Sequence, residues 1–421
     1  MKYCVKCLQP DTRPNIKFDE HGICPACNYY SRLGNIDWNE RCGILQNIVS
    51  EYKKNNTKNK KYHDCIIGVS GGKDSTRQAL WIREKLGLNP LLVCLAYPPD
   101  QVNNLGANNL SNLIELGFDI HTVSLGPKTW KKLMLASFRK YTNWCRSTEL
   151  ALFAAVPRLA IRYEIPLILW GENPGLQLGD LKTLGKTGYD GNNIRNMNTL
   201  EGGGIEWMIR EGFLLENLIG YQYPSPEEFD NAGLQIIYLG WFLGDWSLVN
   251  NASYSCLDGI EIREDTVGNT GDLYGVTSLD EDWVTLNQMI KYYKFGFGRV
   301  TDYANEGIRH GSMTREEGIK LVDKYGTAQI LNSMVSRSIL DDDPSNPVLT
   351  LNSSGKIDVV AGITSTTPIS IGVDYFDRGE NAQFSITSKN NSGSILFDGQ
   401  ESDGKTYRAI YELLHRLTRK L

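Results

Sequence analysis

The chain has no apolar run approaching the roughly 20 residues that cross a bilayer, so no transmembrane helix is expected in its 421 residues. Its opening "MKYCVKCLQP" is charged and lacks the apolar core of a secretory signal, which makes the cytoplasm the expected location. Positive charge is not in excess: 44 Lys and Arg stand against 49 Asp and Glu, a net charge of −5. That balance disfavours a dedicated nucleic-acid binder, although a local basic patch is compatible with it. No solenoid-type repeat is visible. With 41% hydrophobic and 22% charged residues the composition is that of an ordinary globular protein, long enough for two or three domains.

Cysteine breaks this plainness. Nine are present, and Cys4-x-x-Cys7 and Cys24-x-x-Cys27 have the spacing of a four-thiolate zinc ribbon. Each pair offers two sulfurs from one tight knuckle, and Gly22 and Pro25 suit the second turn. Zinc at Cys4, Cys7, Cys24 and Cys27 is the expectation, in a structural role, with an iron–sulfur cluster as the alternative. The later cysteines, Cys42, Cys65, Cys94, Cys145 and Cys256, form no C-x-x-C pair. Cys145 in "NWCRS" reads as a packed thiol, since free cysteine behaves as a small apolar residue. His121 alternates with apolar neighbours and reads as a strand residue.

The pattern along the chain divides it into a ribbon over 1–35, a helix and polar linker over 36–61, an α/β domain over 62–335, and a β-rich extension over 341–421 ending in a helix. The linker helix is expected over Asp37–Tyr52, with "KKNNTKNKK" exposed after it. The strand-like runs "DCIIGVS", "PLLVCLAY", "DIHTVSL", "IPLILWGE" and "QIIYLGWF" alternate with helical patterns, which predicts a mostly parallel sheet covered by helices. The Gly/Asn-rich passage 171–204 follows one of these strands and is a candidate substrate wall. Beyond "DDDPSNP", the short runs "VLTL", "KIDVVAG", "ISIGVDYF", "AQFSITS" and "SILF" suggest a small antiparallel unit, and "TYRAIYELLHRLTRKL" an amphipathic helix.

The chemistry concentrates at "IIGVSGGKDST", Ile66 to Thr76. A short buried strand ends on Ser-Gly-Gly and a helix starts at once. Two glycines let the backbone approach a ligand, the helix N-terminus favours an anion, and Lys73 adds a full charge. This is a phosphate site. A Walker loop, G-x-x-x-x-G-K-S/T, needs a different spacing and has Ser or Thr where Asp74 stands, so γ-phosphate cleavage is disfavoured. Elsewhere, Glu172 and Asn173 end the "IPLILWGENP" strand, where open sheets hold substrates or metals. Lys294 and Arg299 bracket the glycine-interrupted "KFGFGR", suited to stabilising phosphate or a developing anion, with surface charge as the competing reading. "MTREEGIKLV" is a helix start with Thr314 as N-cap and Glu317 closing a capping box.

"SGGKDS" resembles the pyrophosphate loop of the PP-loop ATP pyrophosphatases. The resemblance implies cleavage of ATP between its α- and β-phosphates. Ser70, Gly71, Gly72 and Ser75 would cradle the leaving pyrophosphate, Lys73 would neutralise charge, and Asp74 would help place magnesium. With "IDWNER", "GLNPLLV", "LGFDI", "TSLDEDW" and "KFGFGRVTDYANEGIRHGSMTREEGIKLV", the chain to about Tyr325 resembles the N-acetyl sugar amidotransferase family of bacterial surface-polysaccharide and flagellar-sugar biosynthesis.

That resemblance implies an adenine nucleotide alpha hydrolase-like domain, with ATP, magnesium and zinc as cofactors. It implies conversion of a sugar acetamido group into an acetamidino group, with catalytic roles for Lys73 and Asp74; Glu172, to orient the amide or accept a proton from ammonia, and Lys294 and Arg299, to stabilise the departing phosphates, join them as catalytic candidates from their own settings. Ammonia would come from a separate glutaminase through a cyclase-like subunit. No membrane or nucleic-acid partner is expected, and homo-oligomerisation is left open. Around "NPGLQLGD" the chain departs from the acidic-aromatic-glycine sequence usual after the Asn-Pro, and the segment from Asp341 has no counterpart. The competing reading is a PP-loop tRNA thiolase with a zinc ribbon, which would need sulfur-relay cysteines in the catalytic domain. A non-catalytic adenylate-binding scaffold is a third, disfavoured by Lys73 and Asp74.

Overall fold

The computed structural model describes residues 1–59, 62–99, 101–177, 179, 187–197 and 199–326, with four further strand segments at 349–351, 357–359, 383–388 and 394–398. In the N-terminal unit a helix α1 (Pro25–Leu33) starts directly on the second cysteine knuckle, with Pro25 at its first position and the Cys24 side chain capping the Cys27 amide. Helix α2 (Trp38–Asn59) runs further than the sequence predicts. The polar stretch after Tyr52 continues the helix as far as Asn59, because it holds no Gly or Pro to stop it.

The five apolar runs form β1 (Cys65–Gly68), β2 (Pro90–Ala96), β3 (Ile120–Ser124), β4 (Leu167–Trp170) and β5 (Gln235–Tyr238). They pair in the order β3-β2-β1-β4-β5, every pair parallel. Helices α3 (Lys73–Leu86), α4 (Asn104–Glu115), α5 (Pro127–Tyr141) and α6 (Cys145–Tyr163) cover it. Both faces are buried, as a parallel sheet requires. Ile66, Val93, Leu95 and Ile168 pack in one core with Leu133, Phe138 and Leu150, while Ile67, Leu92, Leu167 and Leu169 pack in another with Leu45, Leu80 and Leu113. The chain goes from β1 outward to β2 and β3, then returns to the other side of β1 for β4 and β5. The reversal lies between β1 and β4, and their carboxyl ends open the crevice where such sheets bind ligands.

After β5 come helices Leu248–Leu257, Trp283–Phe295, Arg299–His310 and Arg315–Tyr325. The last begins with the predicted capping box of Thr314 and Glu317. Far along the chain lies a second sheet of β6 (Leu349–Leu351), β7 (Ile357–Val359), β8 (Gln383–Ser388) and β9 (Ser394–Asp398). It corrects the antiparallel expectation. β6–β7 and β8–β9 are antiparallel, but β7 and β8 are parallel, a pairing that no two-residue hairpin can join. The run "ISIGVDYF" and the terminal amphipathic segment lie outside the described residues.

Candidate active site

The phosphate loop is built as its residues dictate. Gly71 turns at φ +77, and a Cβ there would stand 3.0 Å from the backbone of Asn109 on α4, so only glycine fits. Gly72 caps α3, whose first residues are Lys73 and Asp74. Ser75 Oγ donates to the Gly72 carbonyl at 3.1 Å, holding the turn closed beneath the free helix N-terminus. Lys73 is 7% exposed and pairs with Asp74 at 2.7 Å. Asp74 also accepts from the Asn251 amide at 2.6 Å. Asn251 in turn accepts from Arg77 at 2.6 Å, Arg77 pairs with Asp245 at 2.7 Å, and Ser255 Oγ donates to the Lys73 carbonyl at 2.6 Å. The helix Leu248–Leu257 thus fixes the loop from behind. Arg77, Asn251 and Ser255 carry no motif and were not predicted from sequence.

A cavity of about 300 Å³ opens over this loop. Gly68 to Ser70 and Gly72 to Ser75 form its base, with Val93 and Leu95 of β2, Ala155 and Val156 of α6, and Trp170 to Glu172 at the end of β4. Gln78, Leu152 and the stretch Val276 to Asp280 complete its wall. Glu172 therefore meets the loop in one site with Lys73 and Asp74. Burial pushes its carboxyl up to about 7, the Asp74 charge adds to the rise, and Lys73 opposes it. Asp280 is pushed up to about 6, chiefly by burial. A carboxyl of raised pKa beside the phosphate loop is equipped to take up a proton near neutral pH.

The passage 171–204 supplies less of this wall than expected: among its described residues only Gly171 and Glu172 line the cavity. Asn173 is buried and bonds to the Gly240 carbonyl and the Tyr29 hydroxyl, and Gly179 packs on Pro25 and Ala26 of α1. The passage leans on the ribbon, and the wall comes from the "TSLDEDW" stretch instead.

Lys294 and Arg299 are not brought to the cavity. "KFGFGR" is a junction between two helices, with Gly296 at φ +73 ending one and Gly298 capping the next, so it does not form a loop closing over phosphate. Lys294 Nζ donates to the Tyr141 carbonyl at 2.8 Å. Arg299 points at the back of the cavity wall, donating to Thr277 Oγ1 at 2.5 Å and Ser278 Oγ at 2.9 Å. Cys145 is buried, with its thiol pushed well above the ordinary value by desolvation, and His121 lies on β3, 2.9 Å from the Tyr163 hydroxyl. Neither lines the cavity.

The four N-terminal cysteines are buried, with all sulfurs within 4.8 Å of one another. Cys4 and Cys27 Sγ are 3.9 Å apart, Cys7 and Cys24 Sγ 3.7 Å. Tetrahedral zinc with Zn–S bonds of about 2.3 Å separates its sulfurs by about 3.8 Å, so the set fits a closed structural zinc site. Arg309 Nη2 lies 3.6 Å from Cys7 Sγ and 3.8 Å from Cys24 Sγ, offsetting the negative charge that four thiolates leave on such a site. The ribbon also docks on the helix Arg299–His310: the Leu8 amide donates to Asn305 at 2.7 Å, Tyr30 meets His310 at 2.8 Å, and Arg13 pairs with Asp302. Burial would raise the Asp302 carboxyl, but Lys291 and Arg13 hold it down at about 2.

Residues 273–338 match the family model described as LPS biosynthesis protein WbpG-like, C-terminal domain. No curated protein matches the chain. Among solved structures, the NMN synthetase of Francisella tularensis is similar at 22% identity and a TM-score of 0.24, over 33% of this chain and 56% of that one. The U34-tRNA thiolase NcsA of Methanococcus maripaludis shows 13% identity and a TM-score of 0.28, over 62% and 72%. The NAD+ synthetase of Burkholderia pseudomallei shows 12% and 0.21, over 57% and 95%. The matched region thus spans little more than half the NMN synthetase. The cavity wall Val276–Asp280 and Arg299 both fall within the matched family segment. No helix among the described residues is long and apolar enough to cross a membrane.

Proposed function

We propose that this chain, whose residues 273–338 match the model of WbpG-like LPS biosynthesis proteins, is an ATP-dependent, AMP-forming N-acetyl sugar amidotransferase. The observation that carries the reading is the meeting of Lys73, Asp74 and Glu172 in one cavity over a helix N-terminus. An amide oxygen is a poor leaving group. In the proposed reaction the acetamido oxygen attacks the α-phosphorus of ATP, the bond to the β-phosphate oxygen breaks, and pyrophosphate leaves with an O-adenylated imidate behind it. The Ser70–Ser75 loop and Lys73 hold the departing pyrophosphate.

Ammonia then attacks the imidate carbon. The deprotonated Glu172 accepts a proton from the attacking nitrogen, the C–O bond breaks, AMP leaves with its oxygen, and C=O has become C=NH. A carboxyl poised near 7 suits that transfer. Asp74 is a hard oxygen donor facing the cavity and would hold the magnesium that accompanies ATP, which screens the phosphate charge when bound. Zinc would sit at Cys4, Cys7, Cys24 and Cys27 and hold the ribbon together.

The ammonia is proposed to come from a separate glutaminase with a cyclase-like subunit. In favour of this, Cys145 is buried with a raised thiol pKa, the opposite of an activated glutaminase nucleophile. The extension from 341 is proposed to be a separate unit outside the chemistry. The test is turnover of candidate N-acetyl sugars with ATP, magnesium and ammonium, reading AMP, pyrophosphate and the acetamidino product together. Formation of ADP and phosphate would overturn the assignment.

A further inference from the structure

The cavity wall Val276–Asp280 is held from two sides by arginines. Arg263, with 5% of its side chain exposed, donates from Nε to the Ser278 carbonyl at 3.1 Å and from Nη2 to the Glu281 carbonyl at 2.9 Å. Arg299 holds Thr277 Oγ1 and Ser278 Oγ from the other side. The buried Asp272 accepts the amides of Tyr274, Gly275 and Thr277 and the hydroxyls of Thr277 and Tyr303. Between these anchors Ser278 sits at φ +50, in the left-handed region that a residue other than glycine enters at a cost.

Among the described residues these contacts leave the Ser278 hydroxyl proton unspent. Thr277 gives its proton to Asp272. Ser278 Oγ accepts from Arg299, and among the described residues its own proton meets no acceptor, while Ser278 lines the cavity. A hydroxyl whose lone pair is taken by a guanidinium is a strengthened donor. The wall stands on the β2 side of the phosphate loop: the Asn103 amide donates to the Asp280 carbonyl at 3.2 Å, and a Cβ on Gly106 would lie 2.4 Å from Asp280 Cα. Glu172 stands at the end of β4, on the opposite side of β1. With phosphates at the loop after β1, the β2 side with its apolar Val93 and Leu95 is left for the nucleoside.

We propose that Ser278 donates a hydrogen bond to the nucleoside part of bound ATP, at a ribose oxygen or a ring nitrogen, with Arg263 and Arg299 as its positioning residues. The inference rests on the ATP-binding half of the proposed function and not on the sugar reaction.

The test is titration calorimetry of the full chain with α,β-methylene-ATP and magnesium, with thermal melts of each variant beside it. Ser278→Ala is expected to bind about tenfold more weakly, the loss of one hydrogen bond. Ser278→Gly relaxes the backbone but also lacks the hydroxyl, and is expected to bind as weakly as Ala. Ser278→Asn tolerates the left-handed backbone and offers an amide donor, so it is expected to recover part of the affinity. Wild-type affinity in the Gly variant would make the residue's role one of backbone strain and overturn the proposal. Wild-type affinity in the Ala variant, or no binding by the wild type, would overturn it as well. A protein that binds the analogue through Ser278 yet leaves every N-acetyl sugar unchanged would contradict the sugar reaction alone.

Discussion

Asn251 and Asp74 are 177 positions apart in the chain and 2.6 Å apart in space. The Asn251 amide fixes one oxygen of Asp74 while Lys73 pairs with the other, so the carboxylate is oriented before any phosphate arrives. Preorganised charge of this kind is where an enzyme gains most over water. Asp74→Ala and Lys73→Ala are each expected to lower pyrophosphate formation at least a hundredfold with unchanged circular dichroism. Asn251→Ala should cost less, about tenfold, because it removes one hydrogen bond to a charged group and leaves the charges in place. Equal rates in wild type and Asn251→Ala would show that the orientation of Asp74 is immaterial.

Glu172 gives a prediction in pH. Its carboxyl titrates near 4.5 when unfolded and is pushed up to about 7 in the fold by burial and the Asp74 charge. Between those values the folded form holds a proton that the unfolded form has lost, so stability falls as pH rises through this window. Glu172→Gln removes the ionisation, and its melting temperature should exceed that of the wild type at pH 8 and converge with it at pH 4. Turnover needs the deprotonated form as proton acceptor, so the wild-type rate should rise with pH through about 7 and the Gln variant should lose that limb. A pH–rate profile unchanged by the substitution would remove Glu172 from the chemistry.

The strands, the phosphate loop and the cysteine set were legible because each is local. Cys65–Gly68 and Leu167–Trp170 are short apolar runs ended by glycines, and the paired C-x-x-C knuckles state their own geometry. The parts that were not legible are long-range. Asn251 and Ser255 converge on Lys73 and Asp74 from another helix, with Arg77 of α3 holding Asn251, and nothing in their own neighbourhoods announces it. The glycine-flanked setting of Lys294 suggests an anion site, yet those glycines serve as helix caps. "TSLDEDW" was visible as a stretch, but its place on the cavity depends on Arg263 and Arg299, both distant in sequence.

Lys294 is therefore expected to be close to neutral. Lys294→Ala gives up a hydrogen bond to the Tyr141 carbonyl, on the order of 1 kcal/mol of stability, and should keep turnover within about twofold. A hundredfold loss of turnover with normal folding would return it to the active site.

The cysteine ribbon should act on stability and on one helix above all. Arg309, Asn305 and His310 all lie on Arg299–His310 and all touch the ribbon. Elemental analysis should find one zinc per chain. Cys7→Ser should lower the melting temperature and speed amide exchange in Arg299–His310 before it does so in β1 or β4. Metal-free protein with unchanged exchange in that helix would separate the ribbon from the fold it packs on.

Amidination of the sugar is read out by intact-mass spectrometry. Candidate N-acetyl sugars, free and nucleotide-linked, are incubated with the full chain, ATP, magnesium and ammonium. One of them is expected to lose a single mass unit, with AMP and pyrophosphate formed in equal amounts, and Lys73→Ala to abolish all three changes. Unaltered sugars together with sulfur transfer to tRNA by the same preparation would contradict the amidination.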